Sequence, residues 1–199
     1  MRQVGALPWL LAAAPGSALA HSPFQGLSSF LNGILHPLMV PAHLLLLLAL
    51  GLLIGKHDPA RHQPVVLAFL LASIAGLLIT HSADVLLLPA VLLASTVVIG
   101  LLVVANVPVH PRLLLLAALA CGLMLGLDSN PEVYTGKALS GALFGSGIGI
   151  YLLLIYPMGL ADSMRNRAWQ RIGVRVLGSW ISASALLVLT LQFAPALNS

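Results

Sequence analysis

The sequence predicts an all-α integral membrane protein, and three observations predict it. Only 7% of its 199 residues are charged and 59% are hydrophobic, whereas soluble domains carry about 25% charged residues. The apolar residues come in continuous runs close to the roughly 20 residues that cross a bilayer core as helix. None of these runs shows the period-2 alternation of a closed β-barrel, the other structure that satisfies its backbone in lipid. So little polar sequence leaves no room for a separate soluble domain. The formal net charge of +4 is no argument for a nucleic-acid partner, because the basic residues mark membrane topology.

Taken in order, residues 1–20, "MRQVGALPWLLAAAPGSALA", read as a signal peptide. Arg2 precedes an apolar run, and Ala18-Leu19-Ala20 forms an A-x-A cleavage site. Cleavage there makes His21 the mature amino terminus, and residues 21–199 form one membrane domain. An uncleaved anchor is the alternative.

Hydropathy then places six spans, at about 29–55, 64–81, 85–105, 111–127, 138–160 and 174–195, judged against the thickness of the hydrocarbon. The first is long enough to be tilted, or broken at Pro37 or Pro41. Lys56, Arg61, Arg112, Arg165, Arg167, Arg171 and Arg175 fall on one side of this layout and Lys137 alone on the other. By the positive-inside rule the mature amino terminus faces out, and "KHDPARHQP" and "ADSMRNRAWQRIGVR" face the cytoplasm. Three spans is an odd number, so two three-helix halves would run in opposite directions, as in inverted-repeat transporters. Gly141, Gly145 and Gly149, and again Gly122 and Gly126, recur at four-residue steps. That spacing brings helix backbones together in lipid.

The polar residues inside these spans carry the functional question. "GILHPLMVPAHLLLLLALGLLIG" holds His36 and His43 in an otherwise apolar stretch, where an ionisable group costs about 2.5–3.5 kcal/mol on insertion scales. Seven residues apart, they share a helix face with α-carbons about 10.5 Å apart on a straight helix. One ion touches both only if the side chains converge or Pro41 breaks the helix. Cys121 and Asp128 repeat the spacing in the fourth span. Alone, Cys121 reads as a small buried apolar residue and Asp128 as a helix cap or turn. Together with the histidines they could form a transition-metal site if the first and fourth spans touch. Imidazole suits nickel, cobalt, zinc and copper alike. His21, with its free amine if cleavage occurs, could chelate one ion by itself. His57, His62, His81 and His110 lie in loops, where solvated histidine is expected, and Met39, Met124 and Met158 read as packing residues.

"HSPFQGLSSFLNGILHPLMVPAHLLLLLALGLLIG" resembles the opening of the HupE/UreJ proteins, whose mature chain begins with His and whose first span reads H-P-L-x-G-x-D-H before an apolar run and Gly. His36, Pro37, Leu38, His43 and Gly51 match. Pro64, Phe69 and Gly76 resemble the family's second span, Ser95 and Gly100 its third, and the segment from Arg175 its last. The family's aspartate falls on Ala42 and its glycine on Val40. Its fourth-span motif H-G-x-A-H-G-x-E falls on "CGLMLGLD", which keeps Gly122 and Gly126 but has Cys121, Leu125 and Asp128 at the other positions.

The resemblance implies a nickel- or cobalt-type metal permease in a bacterial inner membrane, working beside hydrogenase, urease or other metalloenzyme maturation proteins. The ion would pass between the first and fourth spans at His36, His43, Cys121 and Asp128. The exchanged ligands leave copper or zinc as further substrates, and a non-transporting accessory or metal-binding protein as the competing function. No ATP-binding motif is present, and no enzyme is expected. Ser146 in "LFGSGIG" resembles part of a membrane serine-protease motif, but no histidine follows it in the chain.

Overall fold

The computed structural model describes residues 24, 26–79, 87–129 and 134–193, so the expected signal peptide and His21 lie outside the described residues. Every regular element among them is helical. The order is α1 (Ser29–Met39), α2 (Pro41–Gly55), a 3₁₀ turn (Pro59–Arg61), α3 (His62–Ile79), α4 (Leu88–Ala105), α5 (Pro111–Leu127), α6 (Gly136–Ser163) and α7 (Ala168–Phe193). Four helices, those carrying 59–79, 88–105, 136–163 and 168–193, are each long and apolar enough to cross a membrane. The bent pair α1–α2 makes a fifth candidate span, whereas α5, at 17 residues, is shorter. Hydropathy read six; length and composition of the folded helices support four or five.

The predicted first span is broken where its prolines suggested. Pro41 has no N–H to donate and its ring would strike the preceding turn, so it opens a new helix instead of continuing the old one. The residue before a proline is driven from helical to extended backbone, and Val40 sits at φ −92°, ψ 110°. The axes of α1 and α2 diverge by 72°. Pro37, inside α1, withholds the N–H that would have bonded the Gly33 carbonyl. The Ser146 hydroxyl donates to that carbonyl from α6 at 3.3 Å. The serine that resembled a protease motif is therefore engaged in helix packing.

α2 is the central helix. It is apolar on all sides, as a helix buried all round must be, and it packs against α6, α4 and α7. Small residues set the other close pairings. α1 lies on α6 where a side-chain carbon on Gly33, Gly145 or Gly149 would strike the facing backbone. α3 and α5 close in the same way on Gly76, Gly122 and Gly126, and α4 meets α7 at Gly100 and Gly178, where an added carbon would strike the side chains of Ser182 and Val103. Leu71, Leu78, Trp180 and Leu187 are exposed, as apolar side chains are on a surface that meets lipid.

α6 and α7 both run further than the hydropathy windows. The basic segment 161–175 is mostly helix, interrupted only around residues 164–167. Hydropathy finds where lipid begins and ends; it does not sense that Arg, Gln and Leu favour continued helix.

Candidate functional site

The break at Val40 brings the two predicted histidines together. His36 lies in the last turn of α1 and His43 in the first turn of α2. The bend replaces the separation of a straight helix, and the ring centroids are 5.4 Å apart with planes at 69°. His43 is fully buried.

Its second partner comes from the fourth predicted span. The His43 Nε2–H donates to Asp128 Oδ2 at 2.8 Å. Asp128 is the C-cap residue of α5, a position where the helix dipole disfavours a negative charge, and a buried donor offsets that cost. The carboxylate fixes the tautomer. A neutral His43 with its proton on Nε2 carries a lone pair on Nδ1, and Nδ1 is buried with no hydrogen-bond partner among the described residues. Imidazoles that bind metal ions commonly donate their other N–H to a carboxylate, which orients the ring. Asp128 stands in that relation to His43.

The remaining predicted residue, Cys121, is 3% exposed and lies within the apolar core beside Gly122, whose α-carbon packs on the Phe69 backbone. Among the described residues no three His, Cys, Asp or Glu side chains are grouped closely enough to hold a metal ion together. The arrangement is a chain of two contacts, His36 to His43 and His43 to Asp128, with Cys121 outside it.

His57 departs from the expectation of a solvated loop residue. It is 8% exposed. Its Nδ1–H donates to the Leu53 carbonyl at 2.7 Å, and its Nε2 accepts from the Val109 backbone N–H at 3.2 Å. Its own carbonyl accepts from His62 Nε2 and from Arg165, both at 3.1 Å. Burial holds its pKa below the ordinary histidine value, and Lys56 and Arg61 push the same way. One residue thereby ties the end of α2 to the α4–α5 loop and to the end of α6. Nothing in "KHDPARHQP" signals this, because Val109 is 52 residues away.

Apolar helices around a buried histidine–carboxylate couple define a multi-pass helical membrane protein with a polar centre in its core. The model of the family described as HupE / UreJ protein matches residues 9–188. The chain belongs to the HupE/UreJ family, which links it to nickel- or cobalt-related accessory or permease work in the membrane. No curated protein and no solved structure matches the chain.

Proposed function

We propose that the protein is a transition-metal permease of nickel/cobalt type, and that the ion passes the His36–His43–Asp128 chain between the broken first span and α5. The observation that carries this reading is the buried Nδ1 of His43, without a hydrogen-bond partner among the described residues and held in place by the Asp128 carboxylate. A passing ion would exchange water for this nitrogen and the neighbouring His36 imidazole, while Asp128 supplies negative charge one bond further out. Two neutral imidazoles and a distant carboxylate hold a divalent ion weakly, which suits passage more than storage. Cys121 could join only if α5 rotates or slides against α2.

In this reading the domain has six spans after a cleaved leader, in a bacterial inner membrane with the mature amino terminus outside. The ion serves metalloenzyme maturation proteins of the hydrogenase or urease kind. The packing supports two inverted halves: α5 lies on α3 as α1–α2 lies on α6, and α4 meets α7. The α2–α4 pairing has no comparably close equivalent between α5 and α7.

The test is uptake into proteoliposomes, comparing Ni, Co, Zn and Cu(I), with His36→Ala and His43→Ala beside the parent. Saturable flux of one ion, lost in both variants, is the expected result. A second reading, a metal-binding accessory protein without flux, draws on the lack of any three-ligand group among the described residues. Metal binding by folded protein with no flux for any ion would select it.

A further inference from the structure

Four basic side chains line one cleft at the end of the bundle where α2, α4 and α6 finish and α7 begins. Lys56, Arg165, Arg171 and Arg175 surround a space of about 50 Å³ whose floor is Val103, Ala161 and Val174. Among the described residues, no acidic side chain lines it. Its cations are only partly committed. Lys56 Nζ donates to the Leu102 carbonyl at 3.2 Å, and Arg175 Nε donates to the Val104 carbonyl at 2.7 Å. These bonds occupy one of three ammonium donors and one of five guanidinium donors. Arg165 bonds the His57 carbonyl and lies 3.4 Å from the Asp162 carboxylate.

The positive-inside rule explains why basic residues lie at this end of the bundle. It does not explain why residues 56, 165, 171 and 175 converge around a single cleft. The bonds to Leu102 and Val104 cap the carbonyl end of α4, a stabilising use of cations. That role needs two of them and leaves Arg171 unexplained. Four like charges around one small space repel each other, and burial first, with the proximity of Arg175 second, lowers the pKa of Lys56. An anion in the cleft would remove that repulsion.

The surface beside the cleft says what sort of anion. On α7, Trp169, Ile172 and Val176 follow one another at helical spacing and are 62%, 57% and 42% exposed. Arg171 and Arg175 lie one turn apart on the same helix, beside this stripe. A phosphate held by the arginines would thus lie next to an apolar track running toward the middle of the bilayer, and Trp is a residue that settles at the interface between the two. We propose that this cleft binds a phosphate group, and that its occupant is the headgroup of an anionic phospholipid whose chains lie along the Trp169–Ile172–Val176 stripe. Basic pockets between membrane helices are a recurrent form of anionic-lipid site. The inference is independent of metal transport.

The experiment is native mass spectrometry of delipidated, detergent-solubilised full-length protein titrated with phosphatidylglycerol, phosphatidylcholine or inorganic phosphate. The parent should retain phosphatidylglycerol in preference to phosphatidylcholine. Arg171→Gln should weaken that retention about fivefold, the contribution of one basic residue at an anionic lipid surface. Arg171→Gln with Arg175→Gln should abolish the preference. Arg112→Gln, away from the cleft, should leave it unchanged. Arg171 is exposed and holds no helix end, so its single variant tests the site even if loss of the Arg175 bond disturbs folding. Equal retention of the two lipids by the parent, or undiminished preference in folded Arg171→Gln, overturns the proposal. Binding of inorganic phosphate without any lipid preference overturns the lipid assignment, and competition by phosphate at millimolar concentration supports a phosphate-specific site.

Discussion

Replacing Asp128 with leucine removes the acceptor of a donor that has nowhere else to go. His43 is fully buried, whereas the Asp128 side chain is 16% exposed, so water reaches the carboxylate's rim but not the imidazole. A buried donor left unsatisfied costs about 1–3 kcal/mol. Taking the negative charge away from the carbonyl end of α5 returns about 0.3–1 kcal/mol. The difference predicts a net loss centred on about 1.4 kcal/mol, and at most about 2.7 kcal/mol, for Asp128→Leu. Asp128→Asn keeps an amide oxygen to accept the proton and should cost less than half as much. His43→Leu removes the donor, so the double variant should recover part of the loss. Side-chain hydrogen bonds within membranes couple by about 0.6 kcal/mol on average and about 1.7 at most. Full burial of the donor places this pair in the upper half of that range. The assay is a double-mutant cycle on reversible unfolding in mixed micelles. Effects additive to within about 0.5 kcal/mol would refute the view that Asp128 holds His43 in place.

Gly145→Ala should destabilise the protein by about 1–3 kcal/mol, the cost of overpacking a close helix contact, because its β-carbon meets the Phe30 carbonyl. Gly159→Ala, where the new carbon meets open space, should be neutral or stabilising by up to about 1 kcal/mol, and thermal melts in detergent compare the two. His57 makes stability fall with acid. Its folded pKa lies below the ordinary value, so the neutral form is favoured by folding, and its contribution is complete above the unfolded pKa of about 6.5. It is lost as pH falls from there through the depressed folded pKa, as protonation breaks the bond from the Val109 N–H. Melting temperatures measured between pH 8 and pH 5 should fall less steeply in His57→Gln than in the parent, and an equal slope would exclude His57 as the source.

The class of protein was legible in the sequence because hydropathy is additive along the chain and needs no partner. The same holds for the break at Pro41, since proline acts on the residue before it and the turn behind it. That break delivered the convergence of His36 and His43, which the sequence left conditional on converging side chains or on a break at Pro41, as it left the meeting with Asp128 conditional on contact between the first and fourth spans. The four-residue glycine steps marked helices that approach closely, but did not say that Gly145 and Gly149 face α1 while Gly122 and Gly126 face α3. Those choices depend on matching two surfaces distant in the chain.

Cys121 and Asp128 show the limit most clearly. Both share a face in the ideal pattern, yet one is enclosed in the apolar core and the other reaches the imidazole of His43, 85 residues away. His57, Lys56, Arg165 and Arg175 behave alike, for each has a partner 46 to 108 residues distant. What the sequence by itself determined was the all-helical, membrane-type character of the chain and the prolines at which the first span could break, both local properties of residues. Tertiary structure alone decided which polar group meets which, because in an apolar interior each buried donor must find an acceptor wherever the packing of helices puts one.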